Sequence, residues 1–269
     1  LRNNMPNSFT DRHSLPEILA AGIAPLVPIY NDWSEARFVS AFETATSAKA
    51  LQTGTSAPRL NRVISNSQKA EYVTALEALT KLASELLAQT QPEKVIVHAF
   101  VLDTVEHFAK EKPNARILGI ETKSDPAVRS LLHLGYPVEE IDSGVNFTLD
   151  QFYHMPTTAY QSYDIIFAST ALDHTDDPEM FLAQVGDLLA PGGIAILACS
   201  FAPSDAVESI KAKHTAGNFR VFHEEDFRER FLPLLNGCQW ADTPSWKVPQ
   251  NEERATYATL VIAKSASVS

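Results

Sequence analysis

Between Gln68 and Ala88 the apolar residues Tyr72, Leu76, Leu79, Leu82, Leu86 and Leu87 recur at intervals of three and four. That spacing predicts an amphipathic helix, with Ser67 placed to cap its start. Lys94 to Phe100 is short and β-branched, the character of a strand, and Asp103 to Lys112 has a helical pattern that Pro113 stops. After Pro113 short apolar runs alternate with helical patterns. Arg116 to Glu121 predicts a strand, Asp125 to Leu134 a helix ended by Gly135, and Tyr136 to Asp142 a second strand. Asp164 to Ser169, Pro178 to about Leu189 and Ile194 to Phe201 repeat the strand, helix and strand order. The rhythm implies an α/β fold: a doubly wound, mostly parallel sheet with helices on both faces.

The run Leu189-Ala190-Pro191-Gly192-Gly193 reads as a helix stop and a tight turn, since proline cannot continue a helix and glycine accepts positive φ. Further on, His223 to Leu235 predicts a helix, Cys238 to Ala241 a short strand and Thr256 to Lys264 a long final strand. Residues 1–66 are broken by Pro6, Pro16, Pro25, Pro28 and Pro58. Within them Leu15 to Ala21 and Ser34 to Ala50 are helix candidates, and Gln52 to Ser67 reads as a loop. The expected organisation is an irregular or helical region over 1–66, a helical extension over 67–115, an α/β domain over 116–265 and a tail over 266–269.

Composition narrows the function classes. With 33 acidic against 22 basic residues the formal net charge is −11, which argues against a broad surface for nucleic acid. A small molecule or a protein is the expected partner. Cys199 and Cys238 are the two cysteines, both with apolar neighbours and without a C-x-x-C pair, so free thiols are expected rather than a disulfide or metal framework. No apolar run approaches the ~20 residues of a membrane span, and the start lacks the plan of a signal peptide. The expectation is a cytoplasmic protein.

The string from Tyr163 to Phe201 carries a more specific signal. Tyr163-Asp164-Ile165-Ile166, Leu172-Asp173-His174, Asp177-Pro178 and Leu189 through Gly193 follow in an order that resembles the class I S-adenosylmethionine-dependent methyltransferases. In that family a fourth strand is followed by a loop often reading L-E-H, a D-P helix, and L-x-P-G-G before the fifth strand. Cys238 to Ala241 and Thr256 to Lys264 look like the antiparallel sixth and seventh strands that close its sheet. The resemblance covers about Arg116 to Ser265. It implies S-adenosylmethionine as cofactor and methyl transfer to a small molecule, a sugar or glycan precursor being one candidate.

The family's cofactor loop carries an acidic residue and then G-x-G-x-G. Ungapped alignment puts Gly119 at the acidic position and Glu121, Lys123 and Asp125 at the three glycines. Asp142 falls at the acidic end of the second strand, where the family's carboxylate accepts hydrogen bonds from ribose hydroxyls; a solvated strand-end carboxylate is its other reading. The resemblance thus makes Gly119, Glu121, Asp142 and Ser169 the candidate cofactor residues, with Glu121 a replacement acidic ligand or a surface group, and Ser169 a pocket residue or part of a turn. His174, in the loop after the fourth strand, is the candidate general base. Asp173, Asp176 and Asp177 read as loop and helix-cap groups rather than a metal site. Trp33, Trp240 and Trp246 are substrate-wall or core aromatics. The altered glycine positions leave a second reading open: a catalytically inactive methyltransferase-like scaffold within a longer protein, with a protein partner.

Overall fold

The computed structural model describes residues 60–203, 220–235, 237–248 and 256–266. Helix candidates Leu15 to Ala21 and Ser34 to Ala50, and Trp33, lie outside them. The described chain runs through β1 (Val63–Ile64), a 3-10 turn (Asn66–Tyr72), α1 (Val73–Leu82), α2 (Ser84–Gln89), α3 (Val95–Glu111), β2 (Ile117–Ile120), α4 (Pro126–His133), β3 (Val138–Ile141), α5 (Leu149–Tyr153), β4 (Tyr163–Ala168), α6 (Pro178–Leu188), β5 (Leu189–Phe201), β6 (Cys238–Trp240) and β7 (Thr256–Lys264). No helix among them is long and apolar enough to cross a membrane.

The strands form one sheet in the order β1-β7-β5-β4-β2-β3, with β6 also on β7. Strands β2 to β5 are mutually parallel, and β7 runs antiparallel to β5. This is the class I methyltransferase fold expected from the sequence, with its last strand antiparallel. Successive side chains leave opposite faces of a strand, and the two cores follow that alternation. Leu118, Ile166, Leu197 and Leu260 pack on one face with α6. Ile117, Ile165, Phe167, Ile196 and Val261 pack on the other with α1, α3 and α4. Burial on both faces is why these strands read as nearly continuous apolar runs.

Several local expectations change. Lys94 to Phe100 is no strand: α3 runs unbroken from Val95 to Glu111. Its run from Ile96 to Glu106 is buried throughout, and a helix enclosed on most sides loses the spacing that distinguishes helix from strand. The helix expected from Gln68 to Ala88 begins as the 3-10 turn and breaks at Ala83, whose φ is −138°. Ser65, not Ser67, is the cap: its hydroxyl accepts from Ser67 N–H while Gln68 reaches back to Ser65 N–H. Val63 and Ile64, expected in a loop, pair with Tyr257 and Ala258. Together with β6 on residues 262–264 they cover the outer edge of β7. The segment expected as a helix over 223–235 holds a π-helical turn, Asp226–Phe231, then a 3-10 turn.

Pro191-Gly192-Gly193 lies inside β5 as a bulge rather than before it. Tyr163 pairs with Leu189 and Ile165 with Ile194, so five positions on β5 match two on β4. Gly192 supplies φ +74°. A Cβ at Gly193 would lie 2.8 Å from the carbonyl oxygens of both Ala190 and Tyr163, so only glycine fits.

The core of α3 also holds charge. Asp103 is 9% exposed, and burial, then the neighbouring Glu106, push its carboxyl from 3.8 up to about 6. A raised folded-state pKa means ionisation is harder in the folded protein than in the unfolded chain. The associated stability is complete below pH 4 and lost as pH rises through 6. Asp103→Asn is therefore expected to stabilise the protein at pH 7 by about 2 kcal/mol, the gain vanishing below pH 4. Urea unfolding at pH 7.5 and pH 4 checks this; an equal effect at both pH values contradicts it.

Candidate functional site

Because β2, β3 and β4 are parallel and in register, their C-terminal ends meet on one side of the sheet. Open α/β sheets bind ligands there. A cavity of about 510 Å³ occupies that position, within the ~300–1,000 Å³ usual for small-molecule sites. Ile120, Leu149, Ala171, Met180 and Phe181 form apolar walls; Glu121, Ser143, Thr170, His174 and Gln184 add polar groups.

Glu121 ends β2 with φ +56°, a left-handed conformation that is costly for a side chain bearing a Cβ. It is held there by its own N–H on Ile141 O at 2.8 Å and by its carboxylate, which accepts from Ser143 N (3.3 Å) and Ser143 Oγ (2.9 Å). The loops after β2 and β3 are thereby joined. Asp142 completes the join from below: one carboxylate oxygen accepts Lys123 N–H at 2.8 Å, the other Gly144 N–H at 2.9 Å. It is buried and absent from the residues lining the cavity.

Asp125 takes the start of α4. Its carboxylate accepts Ala127 N–H at 2.7 Å, pairs with His98 Nδ1 at 2.9 Å and accepts the Ser169 hydroxyl. Burial alone raises this carboxyl, but His98, Ser169 and Ala127 N–H outweigh it and hold the group below 3.8. Ser169 thus faces Asp125, and it too is not among the lining residues. Gly119 lies mid-strand. A Cβ there would meet Thr122 Cγ2 at 2.8 Å, Phe167 Cζ at 3.1 Å and Val138 Cγ1 at 3.3 Å. Of the residues singled out in the sequence, Glu121 and His174 share the cavity, while Gly119, Asp142 and Ser169 stand behind it.

His174 closes a 3-10 turn, Ala171–Asp173. Partial desolvation and the nearby Lys94 charge hold its imidazole below 6.5, so it is neutral at pH 7. The loop is gripped from two sides. Asp173, wholly buried, accepts Ser200 N–H at 2.7 Å and Ser200 Oγ at 2.8 Å. Arg220 donates its N–H to Asp173 O at 2.9 Å, and its guanidinium to Thr175 O at 3.0 Å and Asp176 O at 2.6 Å. Asp177 caps α6 through Met180 N–H. Arg220 and Gln184, which donates to Asp150 at 2.8 Å, carried no signal in the sequence. Asp125 did, as an Asp before a proline at a helix start. Trp240 and Trp246 pack on each other, with Trp246 buried against Phe227, and neither lines the cavity.

Fold and site together define a class I S-adenosylmethionine-dependent methyltransferase architecture. A methyltransferase-domain model matches residues 94–233, just over half of the 269, and the chain belongs to that family. No curated protein matches. Among solved structures, the chain is similar to 1,6-didemethyltoxoflavin-N1-methyltransferase of Burkholderia thailandensis, with 13% identity, TM-score 0.46, and 80% of this chain and 99% of that one covered. It is similar also to YcgJ of Bacillus subtilis, with 13% identity, TM-score 0.45, and 63% and 98% covered. The CurJ carbon methyltransferase gives 15% identity, TM-score 0.44, and 94% and 72% covered.

Where the family pattern has an acidic residue, Gly119 leaves room that Thr122 fills. Gly119→Asp is expected to destabilise the protein by about 3 kcal/mol, combining overpacking with a buried charge. Adding Thr122→Ala should recover part of this, since Thr122 Cγ2 is the nearest obstruction; denaturant midpoints of the single and double variants check both. The His174 proton resonances should titrate below pH 6.5, and Lys94→Gln should move the midpoint upward whereas Lys123→Gln leaves it in place. An unmoved midpoint in Lys94→Gln contradicts the assignment.

Proposed function

We propose that this chain is an S-adenosylmethionine-dependent methyltransferase acting on a small molecule in the cavity above β2, β3 and β4. The observation that carries the reading is the convergence of Glu121 and His174 on that one cavity in a member of the methyltransferase-domain family. The donor set fits the adenosyl part of the cofactor: apolar walls suit a base, and an acceptor-only carboxylate suits vicinal hydroxyls. Bound there, the cofactor supplies an electrophilic methyl group.

The chain's own residues supply alignment. Glu121 would accept hydrogen bonds from the ribose hydroxyls, with Ser143 orienting its carboxylate. Asp142 acts one step back, holding Lys123 and Gly144 so that Glu121 keeps its direction. Ser169 and Asp125 fix the loop between β2 and α4. His174, neutral at pH 7, would accept the proton that an acceptor hydroxyl loses as its oxygen attacks the methyl group. The short loops that Asp173 and Arg220 hold down limit movement of the reacting groups, and orientation is where an in-line transfer gains most of its rate.

Calorimetric titration with S-adenosylmethionine and its demethylated product tests the reading. Micromolar binding is expected, weakened at least about tenfold in Glu121→Gln through loss of a charge-assisted hydrogen bond. Turnover should fall as pH drops through the His174 pKa, below 6.5, and not above it. No binding of either compound at millimolar concentration overturns the reading in favour of a non-enzymatic scaffold.

A further inference from the structure

Gln184 brings an amide to the cavity with one end already bonded. It lies on α6 one turn beyond Met180 and Phe181, on the helix face that lines the cavity. It is only 3% exposed, and an amide so enclosed is costly unless its polar atoms are used. Nε2 donates to Asp150 Oδ1 at 2.8 Å. Oε1 accepts no hydrogen bond among the described residues. It is not one of the sealed side-chain atoms left without a partner, so it opens onto the cavity that Gln184 lines.

The direction of the amide follows from its partner. An ionised carboxylate only accepts, whereas a carboxamide donates from nitrogen and accepts at oxygen. Beside Asp150 the amide therefore turns Nε2 to the carboxylate and Oε1 away from it; the reverse would set two acceptors against each other. Asp150 is itself held. It stands in the first turn of α5, whose start Thr148 and Gln151 close as a capping box. His154 Nδ1 lies 2.9 Å from the Asp150 carbonyl oxygen and 3.4 Å from the same Oδ1. The cavity is thus offered an acceptor of set direction among the apolar side chains of Leu149, Met180 and Phe181.

We infer that Gln184 reads the base of the adenosyl ligand: Oε1 accepts from the exocyclic amino group of adenine, and Asp150 is the positioning residue that keeps the amide turned that way. The inference rests on the adenosyl site proposed above and adds which group of the ligand that site recognises. Adenine suits the place on two counts. Its flat faces match apolar walls, and its C6 substituent is a donor. Hypoxanthine reverses the pattern along this edge, with an acceptor carbonyl at C6 and a proton on N1. It cannot satisfy Oε1 without moving in the pocket.

The test compares two probes of equal charge on the intact chain by calorimetry. They are S-adenosylhomocysteine and S-inosylhomocysteine, which differ only along this edge of the base, so contacts to the ribose and amino-acid parts cancel in the ratio of affinities. Wild type is expected to prefer the adenine compound by at least about thirtyfold, since the other base leaves Oε1 facing an acceptor. Asp150→Asn is the decisive variant. Asparagine has the same shape, but its own amide can turn together with that of Gln184, so either end of Gln184 can face the ligand. The preference should fall below about fivefold, chiefly because S-inosylhomocysteine gains affinity; a residue that merely supported the fold would weaken both probes alike. Gln184→Met, with no amide to turn, should lose the preference by weakening S-adenosylhomocysteine, and it decides the matter if Asp150→Asn does not fold. Equal binding of the two probes to wild type, or a preference unchanged in the variants, overturns the inference and leaves the adenosyl site standing. Failure of S-adenosylhomocysteine to bind at millimolar concentration removes that site, and the inference with it.

Discussion

Asp125 holds its carboxylate out of solvent between three elements that are distant in sequence. It caps α4, pairs with His98 on α3 and accepts the hydroxyl of Ser169 at the end of β4. A buried carboxylate is tolerable only when its lone pairs are used, and here they are used by groups whose positions set the site. Ser169 marks the end of β4, one residue before Thr170 in the cavity wall. Ala127 N–H marks where the loop from β2 becomes helix. The loop carrying Glu121, Thr122 and Lys123 is therefore pinned at its far end by side-chain bonds, a task that in a glycine loop falls to tight backbone turns.

Thr122 and Gly119 repeat the logic at shorter range. The space beneath the loop holds either a side chain at position 119 or one at 122, and the 2.8 Å approach to Thr122 Cγ2 leaves no room for both. Asp142 has been drawn into the same work, its two oxygens spent on Lys123 and Gly144 N–H. Together these side-chain contacts keep the loop in place.

The sheet was legible because its strands are short apolar runs set between helical patterns: the strands from Ile117 to Phe201, apart from the bulge at Pro191 to Gly193, the helix starts at Asp125 and Pro178, and the antiparallel close over 256–264 all follow local rules. Lys94 to Phe100 was not, since a helix buried on nearly all sides shows no amphipathic face. Val63 and Ile64 were not, since a two-residue strand exists only through its partner on β7. At the site, His174 and Glu121 could be picked out by position along the chain. The roles of Asp142 and Ser169 could not, because they depend on whether a strand-end side chain turns toward the cavity or toward the loop, which only the tertiary contacts decide. Arg220 follows a stretch without readable pattern, and what makes it matter is a pair of carbonyls 44 and 45 residues earlier in the chain.

The direction of Glu121 shows how one backbone conformation relocates chemistry. In an extended strand, side chains alternate between faces, so a residue two after Gly119 would follow it toward the helices α1 and α3. A φ of +56° breaks that alternation and turns the carboxylate across to Ser143, on the cavity side. A glycine would adopt the same φ without strain but would bring no charge. The conformation is thus what a glycine loop requires, while the side chain placed on it is an acid. That combination puts a carboxylate in the cavity, while Asp142, one loop away, is buried and outside its lining.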